Sequence, residues 1–299
     1  MIINTGNLKT LATSFSALYQ GGLGIAPTDH LQVAMVVPST TGAQEYGWLG
    51  KFPSAREWVG DRVIQNLKTH DYTIKNKDYE LTVGVERNDI EDDNIGLYSP
   101  MFQEMGAATG AKACELVYGL LKAGFDTPCY DGQFFFDTDH PVILENGATG
   151  TVSNSGGGSG TPWFLADLSP QRSLKPLILQ MRKDWQFVAQ DNPEDPNVFM
   201  KKEFVYGSDA RMNVGFGFWQ MIYGSKQTLN TTNLQAAYAA LEGMKGDHGR
   251  PLGIKPTHLI VPPSLRATAT ALLNNELTTG GETNVTRGWA TPFVTPWLA

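Results

Sequence analysis

Apolar residues recur at helical spacing at the start of the chain, where Leu8, Leu11, Ala12, Phe15, Leu18 and Tyr19 line one face and Gly21–Gly22 closes the pattern. The spacing predicts a short amphipathic helix that needs its own core or a neighbouring subunit to lie against, because so short a helix is marginal alone. From Tyr46 to Glu86 the character changes to aromatics and mixed charge, ending in an alternation of Tyr79, Leu81, Val83 and Val85. That alternation predicts a strand with one buried face. Val63, Ile64, Leu67, Tyr72 and Ile74 would supply an opposing strand or a helical turn, so the segment reads as an extended, two-armed excursion.

Ser99–Pro100 presents an N-cap with proline at the first helical position, and Met105, Ala108, Ala113, Leu116, Val117, Leu120 and Leu121 follow at helical spacing up to Gly124. This is the longest predicted helix, roughly 24 residues and about 36 Å at 1.5 Å per residue. The run GAATGAKA in its first half lets another element approach closely. The run SNSGGGSG, residues 153 to 160, predicts a flexible loop that divides the chain near its middle. Beyond it, WFLADLS, KPLILQMRKDWQFVAQ and VFMKKEFVYGSDARMNVGFGFWQMIYG read as sheet strands. Thr232 to Met244 reads as a helix started by Thr or Asn, His258 to Val261 as a buried strand, and a further helix starts at Ser264 after Pro262–Pro263.

With 299 residues, 41% of them hydrophobic, the chain is long enough for two lobes with substantial cores. A net charge of -7 argues against a protein whose main task is gripping phosphate backbones. Two cysteines, Cys114 and Cys129, do not make a disulfide framework and fit a reducing cytoplasm. MIINTGNLKT lacks the basic flank and apolar core of a signal peptide, and no run of about 18 apolar residues suggests a membrane span.

The chemistry-bearing residues are few. Asp137, Asp139 and His140 in FFFDTDHP offer oxygen and nitrogen donors within four residues, the best candidate for a metal site. No second His or Cys cluster matches them, and Asp and His before Pro are common turn residues, so a turn is the stronger reading and no metal is expected. The acidic runs at Glu91–Asp93 and Asp191–Asp195 lack EF-hand spacing and read as solvated turns. Gly50–Lys51 has Glu45 where a Walker sequence needs Gly, GGLG at 21 to 24 does not complete a dinucleotide fingerprint, and neither HExxH nor GxSxG occurs. Cys129 has no recognisable nucleophile context. The chain therefore reads as a non-enzyme without a cofactor. What remains is distributed: Trp48, Phe52, Arg56, Glu57, Trp58 and Arg62 are candidates for contact between subunits, the aromatics and arginines being types enriched at interfaces.

EYGWLGKFPSAREWVGDRVIQNL, DYELTVGVERNDIEDDNIGLYSP and FFFDTDHP together resemble the Mu-like prophage major head subunit family, and VFMKKEFVYGSDARMNVGFGFWQ and GRPLGIKPTHLIVPPSLRATATALL extend the likeness over nearly the whole chain. The resemblance implies an α+β, HK97-like phage capsid fold. It places an N-terminal arm at 1–40 and an extended loop at 41–80. A peripheral lobe would take 81–150 and 183–225, with a spine helix at 100–124, and an axial lobe 151–182 and 226–299. One departure is notable. The helix-strand-helix segment 232 to 275 follows the peripheral strands, which implies a permuted order, with the axial lobe drawn from both sides of residues 183 to 225 and the C-terminal FVTPWLA near Trp163 to Asp167.

Function on that resemblance is self-assembly into hexamers and pentamers of an icosahedral virion shell, built in the host cytoplasm. The implied partners are a scaffold and protease, a portal, a decoration protein, and packaged double-stranded DNA held without sequence specificity. Two alternatives stand beside it: a nanocompartment shell of the encapsulin kind on the same fold, and a metal-dependent hydrolase using Asp137, Asp139 and His140.

Overall fold

Two apolar runs joined by a polar, proline-punctuated turn make the longest hairpin of the chain, β9 (Leu177–Gln190) and β10 (Glu203–Phe216). The computed structural model describes residues 2–47, 49, 72–92, 94–278 and 280–299. The first four residues of β9 are buried and the rest alternate, as expected of a strand that leaves a two-sided core and continues with one face covered. At about 3.3 Å per residue each strand of the hairpin spans roughly 46 Å. A four-stranded sheet forms around it in the order β1–β9–β10–β4, with β1 (Ala34–Pro38) parallel to β9 and β4 (Lys77–Glu86) antiparallel to β10.

Two further antiparallel pairs are β2 (Ala43–Glu45) with β3 (Thr73–Lys75), and β5 (His140–Ile143) with β6 (Thr149–Val152). A five-stranded sheet has the order β13–β12–β8–β11–β7. Its members are β7 (Ser155–Gly158), β8 (Trp163–Ala166), β11 (Ile222–Lys226), β12 (His258–Val261) and β13 (Thr291–Val294). All four residues of the central β8 are buried.

Among the described residues the α-helices are α1 (Thr5–Gly24), α2 (His30–Val33), α3 (Arg87–Glu91), α4 (Ser99–Ala123), α5 (Pro196–Lys201), α6 (Thr231–Glu242) and α7 (Arg266–Asn274). Asn4 and Asn230 start α1 and α6 by accepting the backbone N–H three residues on. One apolar cluster runs through both sheets, and a second lies between α1, α4 and the far half of the hairpin. In the second, Phe15 stacks on Phe102 at 4.0 Å, and Tyr206 meets both edge-on.

Several expectations are corrected. Gly21–Gly22 does not stop the first helix, which continues to Gly24. Gly22 is instead a contact point: a methyl there would lie 1.9 Å from the Gln103 carbonyl oxygen, and one on Gly106 would lie 2.0 Å from that of Tyr19. The small residues of GAATGAKA thus let α1 lie backbone to backbone on α4 within the same subunit. SNSGGGSG is not a free loop, because residues 155 to 158 form β7, parallel to β11. A Cβ on Gly158 would meet the Gln227 nitrogen at 2.5 Å, so the glycines serve close backbone approach. Val198, Phe199 and Met200 lie in α5, not in a strand, after the turn that Pro196 opens. The alternation in β4 is a strand, but its inner face is covered unevenly, with Val85 buried and Leu81 37% exposed, because β4 is an edge strand.

Residues 34–38 pair in the four-stranded sheet, residues 77–80 pair with β10, and residues 222–226 belong to the five-stranded sheet. The chain enters the five-stranded sheet before residue 177 and re-enters it after 216, so that sheet is drawn from both sides of the long hairpin. In register, Phe293 faces Ile260, which faces Phe164. The final turn, Pro296–Leu298, packs on α4. Gly106→Ala is expected to cost roughly 1–3 kcal/mol in urea unfolding of the unassembled subunit, since the methyl meets backbone. Gly21→Ala, where nothing lies within 4 Å of the added methyl, should be neutral or gain about 0.5–1 kcal/mol.

Candidate functional site

Trp48, Phe52, Arg56, Glu57, Trp58 and Arg62, the candidates for contact between subunits, lie outside the described residues. The described residues on either side of them form a root bound to the four-stranded sheet. There, β2 and β3 pair as Ala43–Lys75, Gln44–Ile74 and Glu45–Thr73. Beneath them Gln180 of β9 is fully buried and saturated: its amide donates to the Ile74 carbonyl (3.1 Å) and Asn76 Oδ1 (2.7 Å), and its Oε1 accepts the Tyr46 hydroxyl (2.8 Å). Asn76 in turn donates to Ser39 Oγ and the Thr41 carbonyl, and its own N–H reaches Gly42. On the other side the Tyr72 hydroxyl accepts the Phe216 N–H at 2.8 Å. Burial pushes the Tyr46 and Tyr72 hydroxyls up to about 12, so both stay neutral donors and acceptors. This network ties both ends of the excursion to the base of the long hairpin. Sequence reasoning missed Gln180, whose one signal was a polar residue inside the apolar run LILQM.

Within FFFDTDHP the side chains of Asp137 and Asp139 stay together while that of His140 turns away from them. Asp137 closes a local turn, accepting the Phe134 and Thr138 N–H groups. Asp139 is exposed, and its hydrogen bond with Asp137 pushes its carboxyl up. His140 points inward, its ring stacked on Trp219 at 3.9 Å, with Nδ1 facing Asp131 Oδ2 at 2.7 Å and Nε2 facing Asn154 Oδ1 at 3.1 Å. The Asn154 amide nitrogen donates to the carbonyls of Phe135, Trp219 and Ile222, which fixes its oxygen toward His140. Asp131 Oδ1 accepts the Cys129 thiol (3.0 Å) and the Gln133 N–H (3.1 Å).

Burial alone would raise the Asp131 carboxyl, but hydrogen bonds from His140 and Cys129, the His140 charge and Gln133 outweigh it and hold it below its ordinary value. Burial and the neighbouring Asp131 push the Cys129 thiol up. Cys129, Asp131 and His140 are the three metal-type donors that come within 4.8 Å of one another among the described residues. Asp131 stands at hydrogen-bond length from both of the others and the thiol is held protonated, so the group fits a structural clasp. It fastens the segment after α4 to the turn Trp219–Met221 between β10 and β11.

The family profile described as Mu-like prophage major head subunit gpT matches residues 8–298. The chain belongs to that family. It is 45% identical over 291 residues to the major capsid protein of Escherichia phage Mu, covering 95% of each chain. The head subunit also matches the procapsid of bacteriophage JBD30, with a TM-score of 0.88 and 46% identity over 99% of this chain and 100% of that one. The JBD30 capsid decorated with minor capsid protein trimers matches with a TM-score of 0.76 and 37% identity over 94% of each. The head subunit thus has the α+β, HK97-like capsid fold and is a major capsid protein of the virion shell. No helix among the described residues is long and apolar enough to cross a membrane.

Gln180→Leu removes its bonds to the Tyr46 hydroxyl, the Ile74 carbonyl and Asn76 Oδ1 and should cost roughly 1–3 kcal/mol, against about 1 kcal/mol for Tyr46→Phe, both read from urea midpoints. Asp131 titrates lower in the folded chain than its unfolded value of about 3.9, so its contribution is complete above that pH and drains as pH falls through the folded value. The stability gap between wild type and Asp131→Asn should therefore be widest near pH 6 and shrink below about pH 4.

Proposed function

We propose that this head subunit assembles as hexamers and pentamers into an icosahedral shell around double-stranded DNA, and that it does no catalysis. The observation that carries this is the family match across residues 8–298. The four-stranded sheet with α1 and α4 is taken as the peripheral lobe and α4 as its spine, while the five-stranded sheet with α6 and α7 is taken as the axial lobe. On that assignment the axial lobe takes segments from both sides of the long hairpin, the permuted order that the sequence suggested. The arm is residues 1–40, with α1 folded back on its own spine helix.

The extended loop springs from the β2–β3 root, and its residues Trp48, Phe52, Arg56, Glu57, Trp58 and Arg62 lie over a neighbouring copy. Contacts of this kind are each weak, and closure of the shell makes them collectively strong. A scaffold and protease act on the precursor shell, a portal occupies one vertex, and a decoration protein binds outside, as minor capsid protein trimers do on the JBD30 capsid. DNA is held without sequence readout, consistent with a net charge of -7. Neither alternative is favoured. A nanocompartment shell lacks the support that the head-subunit family gives to a phage, and a hydrolase would need the Asp137, Asp139 and His140 side chains on one centre.

Electron microscopy of the purified chain, with and without its scaffold, should show shells or ring-shaped capsomers; a stable monomer with hydrolytic activity would overturn the assignment. Arg56→Ala combined with Trp58→Ala is expected to hinder shell formation while leaving soluble subunits. Normal shells from that double variant would count against the loop.

A further inference from the structure

Asp131, His140, Asn154 and Trp219 come from separate stretches of chain and meet at the crossover from the long hairpin to the five-stranded sheet. Both ring nitrogens of the buried His140 face oxygen, Nδ1 at 2.7 Å from Asp131 Oδ2 and Nε2 at 3.1 Å from Asn154 Oδ1. We infer that His140 donates through both nitrogens and is held as an imidazolium, so that the clasp is a buried ion pair whose grip weakens as pH rises.

The Asn154 amide admits one orientation. Its nitrogen lies 2.9, 3.2 and 3.3 Å from the carbonyl oxygens of Phe135, Trp219 and Ile222, and its oxygen accepts the Asp137 N–H at 3.0 Å. Turning the amide over would set its oxygen against three carbonyls and its nitrogen against an N–H. His140 Nε2 therefore meets an acceptor that cannot become a donor. A neutral ring that answers it with an N–H would turn a bare Nδ1 toward Asp131, which works only if the Asp131 carboxyl carries a proton. That carboxyl is engaged as an acceptor instead: Oδ1 takes the Cys129 thiol and the Gln133 N–H, bonds that favour the charged form. The second proton belongs to the imidazole. Trp219, 9° from parallel and 3.9 Å away, lays its ring face against the cation.

The charged groups around the ring are carboxylates. Asp131 faces it directly, Asp139 precedes it in the chain with Asp137 hydrogen-bonded beside it, and Asp247 accepts the Ile143 N–H from β5 and acts on Tyr130. Asn154, Trp219 and Gln220 bring no charge. Burial and then Asp131 push the Cys129 thiol up, and burial pushes the Tyr130 hydroxyl well up, so neither gives off a proton on the mildly alkaline side. Loss of the ring proton leaves either Asp131 or Asn154 Oδ1 facing a bare nitrogen. A proton bound in the folded chain and already released in the unfolded one makes stability fall as pH rises. The clasp ties the segment after α4 to the crossover between the two sheets, so pH sets how firmly they are held together there.

The test is nitrogen NMR of the full chain, as unassembled subunits, labelled at its five histidines. The His140 ring signals are those lost in His140→Gln. If that variant does not fold, Asp131→Asn, which leaves the ring in place and shifts its signals, replaces it in both measurements. At about pH 7.5 both ring nitrogens of His140 should give the signal of a protonated nitrogen, where an ordinary histidine shows one bare nitrogen. The difference in urea midpoint between wild type and variant should narrow about twofold from about pH 6 to about pH 9. One bare ring nitrogen at about pH 7.5, or a midpoint difference equal at both ends of that range, would overturn the inference and leave the clasp neutral.

Discussion

The long hairpin is the constraint on which the other parts depend. Its base, Leu177 to Gln180 against Asn213 to Phe216, belongs to the core shared with the five-stranded sheet, and its far half is covered on one face by α1 and α4. Because β9 and β10 are continuous hydrogen-bonded strands across that change of environment, they fix the two layers at a set distance. A strand buried on both faces at one end and on one face at the other reads as a solid apolar run followed by alternation, and LILQMRKDWQFVAQ has that pattern. The loop root hangs from one end of this frame through Gln180 and the apolar tip from the other through Val198.

Polar groups inside the frame do the specifying. Apolar packing is tolerant of small shifts, while a buried amide with every donor and acceptor satisfied accepts one arrangement only. Gln180 fixes where the chain leaves the sheet after β2, and Asn154 fixes where the segment after α4 meets the crossover at Trp219 to Ile222. For a subunit repeated many times in a closed shell, errors in where a segment leaves its sheet would add up around the shell. Saturated buried amides at the two places where segments change layer are a physical means of preventing them.

The family, the long helix at Ser99 and the period-two strand before it were legible in the residues, because apolar periodicity and a proline in the first turn are local signals, although Ser99 is the first helical residue and not the N-cap, a place that Tyr98 takes without a side-chain bond. So was the close approach at GAATGAKA, although its partner was not: the run says only that something comes near, and α1 turned out to be that element. The glycines at 21 to 22 and 156 to 158 misled for the same reason. A glycine reads locally as a stop or a hinge, while here its missing Cβ makes room for Gln103 or for the Gln227 backbone, which lie far along the chain.

The candidate chemistry divides in the same way. FFFDTDHP contains the donors, but sequence spacing cannot say that His140 turns inward to Asp131 and Asn154 while Asp137 spends its oxygens on a turn. By itself the sequence determined the class of the protein, its four longest helices and its three longest strands, since these rest on neighbours within a few residues. Only the tertiary structure decided which strands share a sheet, which polar residues become buried anchors and which apolar ones stay in water. Those outcomes depend on pairings across more than a hundred residues, such as Tyr46 with Gln180, which no local pattern encodes.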